Sequence, residues 1–266
     1  MNPARRALAG RRCAWQRAAL ALALGLASAP VFAQDARQIM LEAQRRAESS
    51  SQRYEGTLKV IDARGKIADK SWVYTRLGSH GSSRSVLRFT APAEVKGVAL
   101  LVANHPDRAS DQWMWTPAIQ RERRIALQDR STRFFGTDFS FEDLEERDVD
   151  QFAFSLLGEE TVGGAACWKI EARPGTRKSS QYTKSRVWVR RDNYAYLLIE
   201  NEIKGQMVRR LAYGDLENVQ GIWTARLLEM TDLRRKSRTV LRLEKLEYNL
   251  PLKEEDFTLQ ALRRER

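Results

Sequence analysis

His80, His105 and Cys167, with a run of carboxylates from Asp138 to Asp150, are the side chains of this sequence best suited to acid–base or nucleophilic chemistry. General-base work needs a histidine or carboxylate in a desolvated cleft, within reach of the proton it removes. Both histidines fall in polar, turn-like stretches, and neither has a nucleophile at a telling spacing. Cys167 stands in a strand-like segment beside Trp168 and Lys169, with no partner that marks a reactive thiolate. No Cys/His group has zinc spacing, no Asp-x-Asp-x-Asp-Gly loop suits calcium, and no glycine-rich phosphate loop follows a strand. The acids from Asp138 onward would hold a divalent ion only loosely. The expectation is no catalytic residue, no metal and no cofactor: a binding protein rather than an enzyme.

Recognition chemistry is better represented. In DQWMWTPAIQRERRIALQDR, Asp111 to Arg130, two tryptophans two residues apart precede a cluster of arginines. Basic grooves with aromatic platforms hold single-stranded nucleic acid, but the export leader described below removes that partner. Anionic lipid headgroups fit the same pattern, at about 1 kcal/mol per arginine near a charged surface. In a strand, Trp113 and Trp115 share one face and Met114 takes the other. Trp72, Tyr74, Leu87, Phe89, Trp168, Trp188 and Trp223 recur in neighbouring segments. One helix is too little to cover so much aromatic surface, so part of that face is expected to receive a ligand.

The leader is legible in the first 33 residues. Arg5, Arg6, Arg11, Arg12 and Arg17 form a basic start without an acid, Ala18 to Ala29 is apolar, and Val31-Phe32-Ala33 suits signal peptidase. Residues 1–33 are expected to be a cleaved secretory signal peptide, and 34–266 one periplasmic domain. Loss of five arginines takes the formal charge from +12 to +7, with 41 basic against 34 acidic side chains. Only Cys167 remains, so no internal disulfide is expected and the core alone must hold the fold. No later apolar run reaches the ~18 residues that a membrane-spanning helix needs.

The elements that would position these residues follow from periodicity. Asp35 can cap a helix running to about Ser51, with Ala36, Ile39, Met40, Ala43 and Ala47 on one face. From Tyr54 to Tyr248 the period is two, broken at Asp62–Lys66, Gly163-Gly164, Asp192-Asn193, Lys204-Gly205 and Arg234–Lys236. Such spacing predicts an antiparallel meander of about ten strands, which must curl to hide one apolar face and its edges. The least strand-like stretch is Arg121 to Leu157. It carries five arginines against Glu122 and Asp129 up to Arg133, then seven acids against Arg147 from Asp138 to Asp150. The two blocks either neutralise each other or form a docking element.

Three strings in this order resemble one family: FTAPAEVKGVALLV from Phe89, WMWTPAIQRERRI from Trp113, and FGTDFSFEDL from Phe135 to Leu144. With YNLPLKEEDFT at Tyr248–Thr258, they make the chain similar to the LolA-like outer-membrane lipoprotein-sorting proteins over essentially all of residues 34–266. The resemblance implies a mostly β fold, an unclosed antiparallel β-barrel whose concave apolar face lies under a helical lid. It also implies a periplasmic, monomeric carrier of an acyl chain, lipid or lipoprotein, served by an inner-membrane exporter or releasing complex and in transient contact with a membrane. On that expectation Trp72, Tyr74, Leu87, Phe89, Trp113, Trp115 and Trp188 line the cavity. Arg121, Arg123, Arg124, Asp138, Glu142 and Asp143 stand at its mouth for a headgroup or partner, and Arg88 is implied to hold the lid. The alternative is a regulatory envelope module that binds a partner protein through the 121–150 loop without transporting anything.

Overall fold

A computed structural model describes residues 35–176 and 178–264; the expected signal peptide lies outside the described residues. Helix α1 spans Ala36–Arg46. The Asp35 side chain accepts from the backbone N–H of Arg37 at 3.1 Å, capping its start. Ala36, Ile39, Met40 and Ala43 are buried, the one-face spacing of an amphipathic helix. The helix stops five residues short of Ser51. Serines in that stretch bond outside the helix: Ser51 Oγ donates to the Leu250 carbonyl at 2.8 Å, and Ser50 N–H to Asn249 Oδ1 at 3.0 Å.

The strands are β1 Ser51–Ile61, β2 Ile67–Leu77, β3 Arg84–Ala91, β4 Ala99–Ala103, β5 Asp111–Thr116 and β6 Arg121–Arg124. After a long connection come β7 Phe152–Val162, β8 Ala165–Pro174, β9 Lys184–Arg190, β10 Tyr196–Ile203, β11 Gln206–Val219, β12 Ile222–Asp232 and β13 Ser237–Tyr248. The thirteen form one antiparallel sheet in the order β6-β5-β4-β3-β2-β1-β13-β12-β11-β10-β9-β8-β7. Thirteen strands stand where about ten were expected, and Arg121–Arg124 and Phe152–Leu157 pair as strands inside the stretch read as irregular. β6 and β7 are the free edges, so the barrel stays open.

The order gives the connection from β6 to β7 its task. The chain meanders outward from β1 to one edge, then must cross to the opposite edge before meandering back to β13, which pairs with β1. Residues 125–151 make that crossing over the concave face as a strap of 3₁₀ turns. Phe135 and Gly136 have φ of 44° and 76°, the left-handed pair that turns the strap tightly. Ile125, Phe134 and Phe141 are buried against Trp72, Leu87, Phe89 and Leu100 of the inner sheet face. Phe89 stacks on Phe134 with ring centroids 5.3 Å apart. Helix α1 covers the other half of the concave face, packing on Trp168, Ile170, Val187, Val189 and Ile199. Two smaller clusters lie on the outer face: Ala99 and Leu101 under Phe257 and Leu262, and Cys167 with Trp188 and Leu198.

Candidate binding cavity

Between strap and helix, the concave face of β10 to β13 borders a cavity of 690 Å³. Its floor is apolar and aromatic because inward positions alternate along these strands: Leu211 and Tyr213 of β11, Ile222, Leu228 and Met230 of β12, Leu243 and Tyr248 of β13. Tyr196 of β10 joins them, its ring 6.1 Å from that of Tyr213. The roof is the C-terminal turn of α1 from Ala43 to Ala47, and one wall is strap residues 142–147 apart from Leu144. Trp223 reaches the rim and is 43% exposed.

The wall is acidic, and three of its four acids are paired with bases of the sheet, the strap or a nearby loop. Asp143 takes Arg209 at 2.6 Å and the Tyr182 hydroxyl at 2.8 Å, with both carboxylate and guanidinium buried. Burial opposes the charge on Arg209, but Asp143 and Tyr182 outweigh it and raise its pKa. Glu145 is held by Arg130 at 2.8 Å and Lys178 at 2.6 Å, and Glu146 by buried Arg76 at 2.7 Å. The acidic block is thus shared between the two: Asp138 and Glu145 meet Arg133 and Arg130 of the basic block, and Asp143 and Glu146 meet Arg209 and Arg76 of the sheet. Glu142 differs: it accepts from Ser180 Oγ and the Gln181 N–H, and burial lifts its carboxyl above the ordinary range. His80 Nε2–H donates to the Gln44 carbonyl at 3.2 Å, tying the end of α1 to the rim.

Arg147 closes the wall. Its guanidinium donates to Asn201 Oδ1 at 3.2 Å and Ser185 Oγ at 3.4 Å, and lies 5.6 Å from the centre of the Phe152 ring. Burial pushes the Tyr196 and Tyr213 hydroxyls up, and the positive charge of Arg147 draws both back.

Of the expected site residues, the structure brings only Glu142 and Asp143 to this cavity. Trp72, Tyr74, Leu87 and Phe89 do face inward, but the phenylalanines of the strap and their own neighbours fill the space around them. Tyr74 stacks on Tyr54 at 4.9 Å, and Trp72 crosses Gly56, where a Cβ would stand 2.4 Å from its indole nitrogen. Trp113 and Trp115 point to the outer face, beneath Phe257 and Leu262. Trp188 is also outward, its Nε1–H donating to Glu160 at 3.2 Å. Alternation placed the two tryptophans of β5 together correctly, but both faces of that strand are covered, so the pattern leaves the inward face unassigned.

The polar expectations are corrected in the same way. Arg88 lies on the outer face and donates to the Gly97 carbonyl at 3.1 Å and the Leu262 carbonyl at 2.8 Å, so it holds the C-terminal segment. Arg121, Arg123 and Arg124 sit on the edge strand β6, where Arg124 reaches Asp111 and Arg123 stands 3.9 Å from Asp129. Asp138 is fully buried. It accepts from Ser237 and Thr239 of β13, anchoring the strap to the sheet. Sequence reasoning missed Tyr196, Leu211, Tyr213 and the role of Arg147. A signal existed: Ser185 and Asn201 break the apolar inward positions of β9 and β10, and those are the groups that hold Arg147.

Among the described residues no His, Cys, Asp and Glu side chains cluster to hold a metal ion, and no helix is long and apolar enough to cross a membrane. Cys167 is buried, and burial raises its thiol pKa.

Residues 81–264 match a family model described only as an uncharacterized protein. No curated protein matches the sequence. An outer membrane lipoprotein-sorting protein domain from Vibrio parahaemolyticus is similar in structure, with 27% identity and a TM-score of 0.82 over 86% of this chain and 98% of that one. A DUF1329 family protein from Desulfovibrio piger has 27% identity and a TM-score of 0.82 over 85% of this chain and 97% of that one. A LolA superfamily protein from Nitrosomonas europaea shares the fold at 20% identity and a TM-score of 0.68, over 85% of this chain and 99% of that one.

Proposed function

The chain belongs to the LolA-like family of outer-membrane lipoprotein-sorting proteins, and from that premise we propose that it is a periplasmic carrier: it takes up the hydrocarbon of an acyl chain, lipid or lipoprotein in the cavity under α1 and escorts it between inner and outer membrane. The observation that carries this reading is the 690 Å³ cavity with an apolar, aromatic floor, within the roughly 300–1,000 Å³ of ligand-sized sites. At ~0.8 kcal/mol per buried CH₂, a sixteen-carbon chain in water is disfavoured by roughly 12 kcal/mol, so a soluble escort has to cover it. In this reading residues 1–33 are removed on export and 34–266 act as a monomer. Trp223, half in water at the rim, makes the transient membrane contact, and an inner-membrane exporter or releasing complex supplies the cargo. The site is one of binding, with no reaction carried out in it.

Native mass spectrometry after gentle purification of the mature protein is the test. It should find a co-purified acyl chain, and Leu211→Asp, which puts a charge on the floor, should lower its occupancy about tenfold or more. Wild-type protein that is repeatedly found without lipid and excludes fluorescent acyl probes would sink the carrier reading. The rival reading, a non-transporting regulatory module, has lost much of its surface, because strap acids at 138, 143, 145 and 146 bond within the chain. It would rest on the exposed basic edge at Arg121 and Arg123.

A further inference from the structure

One wall of the cavity carries donors that the protein does not use. Arg147 touches only neutral groups among the described residues: Asn201, Ser185 and the Phe152 ring. The carboxylates beside it are engaged elsewhere, Asp143 by Arg209, Glu145 by Arg130 and Lys178, Glu146 by Arg76, and Glu142 by Ser180 and the Gln181 N–H. The Tyr196 and Tyr213 hydroxyls, both on the cavity and both in the field of Arg147, have no hydrogen-bond partner among the described residues. The Asn201 carbonyl is committed to Arg147 and Ser185, which fixes the orientation of its amide. Its NH₂ then donates to no acceptor among the described residues.

A half-buried guanidinium without a counter-charge is costly to hold, and the two hydroxyls beside it face the cavity with their donors free for a guest. Ser185 and Asn201 occupy inward positions next to Val187 and Ile199, where apolar side chains would pack. The fold has given up apolar surface to keep a cation in place. Such a grouping matches an oxyanion: a charge, a guanidinium fork that can bind two oxygens, and neutral donors around it.

We propose that the cavity selects amphiphiles with an anionic head, a carboxylate or a phosphate, which Arg147 binds with help from Tyr196, Tyr213 and Asn201 while the hydrocarbon lies along the floor of β11 to β13. This rests on the carrier reading and narrows it, because a neutral diacylglyceryl group offers ester carbonyls to the donors but no counter-charge to Arg147.

Chain and charge are separated by measuring cis-parinaric acid against its methyl ester by fluorescence titration of the mature protein. The same comparison of lysophosphatidic acid with monoacylglycerol, by displacement, distinguishes phosphate from carboxylate. Wild type should prefer the acid, or the phosphate, by about tenfold or more, the ratio expected for a charge-assisted hydrogen bond. Arg147→Met should bring that ratio near one, Arg147→Lys should keep part of it, and Tyr213→Phe should lower it a few-fold. Equal binding of the anionic and neutral members of both pairs by wild type overturns the proposal and leaves the carrier reading standing; this result needs no variant to fold. Binding of neither member overturns both. A preference that survives Arg147→Met removes Arg147 as the anchor and with it the proposal.

Discussion

Glu142 is the carboxylate of the cavity wall that burial disfavours as an ion, so its charge sets a pH dependence. Its folded pKa lies above the ordinary 4.5. Protonation therefore favours the folded state: the cost is absent below the unfolded value and grows as pH rises from there through the folded one. Glu142→Gln removes the titration and keeps an oxygen to accept from Ser180 or Gln181. In urea unfolding, the variant should gain on the wild type as pH goes from about 4 to about 7, and parallel curves would show that Glu142 is not the group responsible. The neighbouring Asp143 and Arg209 are both buried and pair with each other at 2.6 Å. Which acids end up paired could not be read from the run Asp138–Asp150, because three of the bases that meet them, Arg76, Lys178 and Arg209, lie 33 to 70 positions away along the chain, as the Arg76–Glu146 and Arg209–Asp143 pairs make plain.

Among the elements, the C-terminal segment has a weight that its length does not suggest. Phe257 and Leu262 cover Trp113, Trp115 and Leu101 on the outer face, and Arg88 holds the last turn by its carbonyl. Phe257→Ala should cost about 3–5 kcal/mol in unfolding free energy and shift tryptophan emission to the red as the β5 indoles meet water. An unshifted spectrum would mean that the indoles are covered by something else. This segment also explains a misreading. The alternation of β5 showed that the two tryptophans share a face, and the three-four spacing of Ala36, Ile39, Met40 and Ala43 fixed the buried side of α1. For α1 the unlike faces, apolar and charged, point inward and outward by themselves. For β5 both faces are apolar, Leu100 and Met114 paired on one and Leu101 and Trp113 on the other, so only a tertiary partner decides. The strap was legible as a break in period-two patterning, but its path depends on which strands form the edges, a property of the whole sheet.

At the level of the molecule, the pairing of β1 with β13 joins the first strand to the last. It makes the two meanders one sheet, and its loop spans nearly the full chain, the arrangement that slows folding. A chain ending at Leu233 lacks β13 and leaves both β1 and β12 with a bare ladder. It should lose cooperative urea unfolding altogether, followed by circular dichroism; a remaining sharp transition would mean that one meander folds alone. The buried Asp138 sharpens the expectation, because its acceptors are used by Ser237 and Thr239 of β13, so the strap loses its mooring with the strand.

The sheet never closes: β6 and β7 end it without bonding to each other. The hollow is covered by two separate pieces, α1 and the strap, tied to each other by side-chain contacts such as Arg37 to Asp150 and Gln44 to the Val149 N–H. No rung of the backbone ladder stands in the doorway. Admitting or surrendering a guest is then a matter of loosening a few latches, and the wall itself can stay rigid throughout.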